Sequence, residues 1–106
     1  MTAASIERLR ALCGGPRDGP MLRFALASAL FAAGDATAAI VELKHALDAD
    51  PNYSAAWKVL GNAHAASGDS HAAISAFERG ITAATAHGDI QAAREMAVLL
   101  RRLQRA

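Results

Sequence analysis

Shifting the chain against itself by 34 residues brings Leu26 onto Leu60, Gly34 onto Gly68 and Asp35 onto Asp69. The match continues with Ala38-Ala39-Ile40 on Ala72-Ala73-Ile74, Leu43 on Phe77 and Ala46 on Gly80. Glycine, aspartate and large apolar residues all take part, so alanine richness does not explain the agreement. A unit repeated in tandem at this period buries its apolar face against its own copy, which restricts the fold more than any other feature of the chain.

On both sides of each Gly-Asp pair the apolar residues recur at three- and four-residue steps. Leu22, Leu26, Ala29 and Leu30 precede the first pair, and Ile40, Leu43 and Leu47 follow it. That is the spacing of one helix face, so each unit reads as a helix pair. Gly34 and Gly68 suit the left-handed conformation that ends a helix, and Asp35 and Asp69 can accept from the free N–H groups that open the next one. So short a turn predicts an antiparallel hairpin. Asp50-Pro51-Asn52 closes the first unit, because proline disfavours helix at the residue before it and donates no hydrogen bond.

Composition agrees. Roughly a quarter of the residues are alanine and few are aromatic, which favours an all-α fold over β-sheet. The formal net charge of +1 gives no global field to recruit nucleic acid or a membrane surface. Cys13 is the single cysteine; an internal disulfide is excluded, and a reducing compartment, the cytoplasm, is the expected location. The apolar run Phe24 to Ala33 is too short for a bilayer, which needs about 20 residues. Glu7, Arg8 and Arg10 interrupt what would be the apolar part of a signal peptide.

Small residues recur where helices should touch, Ala27 with Gly61 and Ala46 with Gly80. A glycine inside a helix costs about 1 kcal/mol relative to alanine, so Gly61 and Gly80 are expected to mark close backbone approach.

Trp57, Leu60-Gly61, His64, Gly68-Asp69, Ala73, Phe77 and Gly80 together resemble the tetratricopeptide repeat signature. The first unit resembles it through Leu26, Ala27, Leu30, Gly34, Ala39, Leu43, Ala46 and Pro51. It departs at Arg23, where the family has an aromatic residue, and the second unit departs at His64 and Thr85. The resemblance covers residues 20–87. It implies a right-handed α-α superhelix of about six antiparallel helices in a single domain over residues 1–106, with repeats at 20–53 and 54–87 and capping segments at 1–19 and 88–106.

The flanks read as those caps. Ile6, Leu9, Leu12 and Cys13 form an apolar stripe on a short helix, with a turn-rich connection over residues 14–20. Gly88-Asp89 repeats the hairpin signal only 20 residues after Gly68, so the helix after Gly68 should run to about His87 and fold back. The closing helix, about Ile90 to Gln104, should turn Ile90, Ala93, Ala97, Leu100 and Leu103 inward.

No motif for catalysis is present: no Gly-rich phosphate loop, no Cys-x-x-Cys, no His-Glu-x-x-His. His45, His64, His71 and His87 lack metal-ligand spacing. No catalytic residue, metal or cofactor is therefore expected, and Cys13 reads as a packing residue. Arg94, Arg101, Arg102 and Arg105 could meet phosphates, but without interleaved aromatics they read as a solvated face.

The resemblance further implies a protein-interaction adaptor with a concave groove lined by the first helix of each repeat. The candidate peptide-binding residues are then Met21, Phe24, Ser28 and Phe31 from the first unit and Lys58 and Asn62 from the second. Lys58 and Asn62 also resemble two residues of the carboxylate clamp that holds chaperone tails. Phe24 and Ser28 fill the matching places one repeat earlier, and Ala93 offers no donor one repeat later, so the clamp is incomplete. Met21, Phe24 and Phe31 need a cover, which is either the amino-terminal helix or an apolar segment of a protein partner. A self-associating module pairing this face with a second copy is the alternative.

Overall fold

The computed structural model describes residues 3–105, among which the chain forms helices and no strand. Six helices follow one another: α1 (Ala3–Leu12), α2 (Pro20–Ala32), α3 (Ala36–Ala49), α4 (Ser54–Ala66), α5 (Ser70–Ala86) and α6 (Ile90–Arg105). Three of the connections are one device used three times. At Gly34 (φ 88°), Gly68 (82°) and Gly88 (75°) the backbone enters the left-handed region. Each glycine N–H, and that of the following aspartate, donates back into the preceding helix, as in Asp69 N–H to His64 O at 3.0 Å. The aspartate then turns to the next helix. Oδ1 of Asp35, Asp69 and Asp89 accepts from the N–H of Ala38, Ala72 and Ala92 at 3.0, 3.0 and 3.3 Å.

Between α3 and α4 proline and tryptophan make the joint. Asp50 Oδ1 accepts from the Asn52 N–H at 3.1 Å, and Trp57 Nε1 donates to the Pro51 carbonyl at 2.7 Å, fastening the turn to the helix that follows it. Each helix packs on its chain neighbour, α1 on α2 included although the longer loop of residues 13–19 joins them. The alternate helices α2, α4 and α6 also touch in a row, which makes a layered helical solenoid.

One continuous core runs through the stack. Leu26, Leu43, Phe77 and Met96 are its largest fully enclosed side chains, and Trp57 and Leu60 are buried beside them. Burying a residue of this kind is worth about 1.5–3 kcal/mol. The two helical glycines serve this core differently from the expectation. At Gly61 an added Cβ would fall 2.6 Å from Cδ1 of Phe77, and at Gly80 2.6 Å from Cβ of Trp57 and 2.5 Å from the Met96 sulfur. Large side chains, not a second backbone, occupy the space that the missing methyl groups leave.

Two apolar residues sit differently too. Leu12 is 37 % exposed because α1 ends there, and Ile90 is 49 % exposed at the first turn of α6. On α6 Met96 is wholly buried, and Ala93, Leu100 and Leu103 pack half-buried against the core as expected.

Candidate functional site

The row α2, α4 and α6 offers a face built from the first helix of each hairpin. On α2, Phe24, Ser28 and Phe31 follow one another at helical spacing and are half-buried, while Met21 at the helix start is 77 % exposed. Lys58 and Asn62 hold the equivalent positions on α4, one repeat later, and are also half-buried.

The ring against Phe24 belongs to Tyr53 at the head of α4, with centroids 5.0 Å apart and planes tilted by 33°. The two covers considered from sequence were α1 and a partner; for Phe24 the next repeat supplies part of the cover. Phe31 packs on the edge of the core.

Lys58 is not open. Its ammonium donates to Oε2 of Glu95 on α6, and Gln91 Nε2 donates to Oε1 of the same carboxylate at 3.3 Å. The Lys58 hydrogen bond and charge, with the Gln91 contact behind them, hold the Glu95 carboxyl below its ordinary range. The residue of α6 that meets Lys58 is thus Glu95, three places beyond the Ala92 that a 34-residue step from Lys58 reaches. The reason is length: α5 has 17 residues against 14 in α3, so counting by 34 fails after it. Glu95, Val98, Leu99 and Lys58 enclose a shallow apolar depression of about 280 Å³, and Val98 is 40 % exposed within it.

Arg23, read as a departure from the repeat pattern, is a structural centre. Its Nε and Nη2 donate to the two oxygens of Asp18 at 2.9 and 2.8 Å, and Nη1 donates to Glu42 Oε1 at 2.8 Å. Asp18 Oδ2 accepts from the Gly14 N–H as well, at 2.8 Å. Those bonds from Arg23 and Gly14 hold the Asp18 carboxyl far below the usual carboxylate range. A two-pronged guanidinium clasp stands where the second repeat has Trp57, and it ties the loop of residues 13–19 to α2 and α3.

The arginines of α6 and three of the four histidines do not converge. Arg94, Arg101, Arg102 and Arg105 are exposed along α6, and His45 on α3, His71 at the start of α5 and His87 just past its end are exposed and apart in the sequence. Among the described residues no group of three or more His, Cys, Asp or Glu side chains could hold a metal ion, and no helix is long and apolar enough to cross a membrane.

The family model for the tetratricopeptide repeat matches residues 30–97, which run from the end of α2 through the first half of α6 and take in the three Gly-Asp joints. The chain belongs to the tetratricopeptide repeat family. Among tetratricopeptide relatives, the TPR repeat-containing protein PA0015 of Pseudomonas aeruginosa is 45 % identical over 101 residues, covering 95 % of this chain and 96 % of its own. The solution structure of protein BPP2914 from Bordetella parapertussis is 42 % identical and superposes with a TM-score of 0.85 over 99 % of this chain and 90 % of that one. Tetratricopeptide repeats generally mediate protein–protein interaction.

Proposed function

We propose that the chain is an adaptor that binds an apolar segment of a protein partner in the groove formed by α2, α4 and α6. The carrying observation is the open apolar surface on this row: Met21 at 77 % and Val98 at 40 % exposure, with Phe24 and Phe31 only half covered. Surface of this kind, rimmed by polar residues, gains free energy when a partner covers it.

The centre of the groove favours an apolar guest over a chaperone-type carboxylate tail. Lys58, the clamp-like lysine, already neutralises Glu95, so an incoming carboxylate would have to displace a carboxylate of the protein itself. Asn62, Ser28 and the alanines of α4 leave room for backbone contacts along the groove floor.

The variant Met21→Glu/Val98→Glu tests the reading, since both side chains are exposed and the core does not depend on them. Capture from native cell extract should lose a partner retained by the parent, with the melting temperature unchanged. A partner retained equally by both proteins would refute the groove. Light scattering of the same pair separates the self-associating alternative, in which the parent is a dimer and the variant a monomer.

A further inference from the structure

A second surface lies on the other helices. Both α3 and α5 rest on α4, and among the described residues no Cα of one comes within 8 Å of a Cα of the other. The gap between them is a furrow in which a depression of about 460 Å³ runs into one of about 160 Å³, with Lys44, Trp57, Leu60 and Arg79 shared by both. Its floor is apolar, formed by Trp57 and Leu60 at 6 % and 5 % exposure. Its rims are cationic. The Arg79 guanidinium stands 4.6 Å from the centre of the Trp57 ring, and Lys44 is exposed on the facing helix.

The charges are ordered along the furrow. His64 lines the smaller depression together with Lys44 and Arg79. Burial pushes its imidazole below the ordinary value, the Lys44 charge adds to that, and Asp69 opposes it. Asp48, one turn beyond Lys44 on α3, stands with Pro51 at the other end. Between Asp48 at one end and Asp69 beside His64 at the other, the furrow wall presents Lys44 and Arg79 above an apolar floor. A stacked guanidinium keeps its in-plane N–H donors, which match a carboxylate. Trp57 offers no open face for a nucleic-acid base, because Arg79 lies over it.

We propose that this furrow docks an extended partner segment in which a carboxylate side chain alternates with apolar ones, the carboxylate held between Lys44 and Arg79 and the apolar groups lying along the methylene stems of those two side chains. Extended chain sends successive side chains to opposite sides, so such a segment can direct one row inward and keep the other in water. The surface is separate from the α2–α4–α6 groove and does not depend on it.

Trp57 is the only tryptophan in the chain, so its emission reports the furrow directly. A short peptide of alternating leucine and glutamate should shift that emission, and a leucine–lysine peptide should not. The bound carboxylate should also raise the His64 imidazole pKa read by NMR, because it offsets Lys44. Lys44→Gln/Arg79→Gln should weaken the leucine–glutamate peptide by roughly tenfold or more, and Lys44→Glu/Arg79→Glu should transfer the preference to the leucine–lysine peptide. Met21→Glu/Val98→Glu, in the other groove, should leave both results as they are. Circular dichroism checks that each variant is folded, which these exposed positions allow. Equal binding of the two peptides, an unmoved Trp57 emission, or affinity indifferent to the glutamine pair would overturn the proposal.

Discussion

At the scale of single residues the molecule is most sensitive where a hydrogen atom stands in place of a methyl group. Phe77 is 1 % exposed and its ring lies on the Gly61 backbone, so it has nowhere to withdraw. Gly61→Ala brings a helix-propensity gain of about 1 kcal/mol, but overpacking a filled core costs about 1–3 kcal/mol. The net expectation is a lower melting temperature than the parent. Reducing the ring in the same molecule, as Gly61→Ala/Phe77→Leu, should recover part of the loss, and a double-mutant cycle by denaturant titration measures that coupling. Simple additivity would mean the glycine is there for another reason. Gly80 differs in kind, because one of its two neighbours is the flexible thioether of Met96.

Among the elements, α1 and its loop are the least self-sufficient, and the Arg23 clasp is what joins the loop to the stack. Asp18 is held charged in the folded state well below its unfolded value of about 3.9. A depressed carboxyl stabilises the fold fully above that unfolded value, and the contribution fades as pH falls from there towards the folded one. Arg23→Gln removes the principal partner but leaves the Gly14 N–H. The melting temperatures of parent and variant should therefore differ most near neutrality, and the gap should narrow below pH about 4. Thermal melts across that range decide it; a gap independent of pH would mean that the Asp18 pairing contributes nothing to the difference. None of this was legible in the repeat pattern, where Arg23 appeared only as an exception to an aromatic position. The compensating acids come from the loop and from α3, and only packing brings them within reach.

For the whole molecule, stacking in one dimension means that each helix depends on its neighbours and the ends depend on fewest. Among the described residues the helix α1 touches α2 alone and buries only Ile6, whereas α4 packs against α2, α3, α5 and α6. Native-state hydrogen exchange should show the α1 amides exchanging well before those of α4 and α5, as sub-global opening from the amino-terminal end. Uniform protection from α1 to α6 would instead indicate a single cooperative unit. The far end is better secured, because Met96 seats α6 against Gly80 and Trp57. The sequence reading turns Ala97 inward; Met96, three residues after Ala93 and four before Leu100, lies on the same helix face and takes the place at the core.

What the chain determined by itself is the local part: helix and turn, the hairpin period, the Gly-Asp joints, and the inward positions of Leu26, Leu43, Trp57, Leu60 and Phe77. These follow from interactions between residues a few positions apart and from periodicity, both of which a linear string records. What only the folded arrangement decided is who stands opposite whom. Glu95 on Lys58, Tyr53 on Phe24, Arg23 between Asp18 and Glu42, and the gap between α3 and α5 depend on how far side-chain volumes hold the helices apart and on the rotation each helix takes about its axis. The candidate groove is accordingly half legible, since its helices were readable from the repeat and its charge pairing was not.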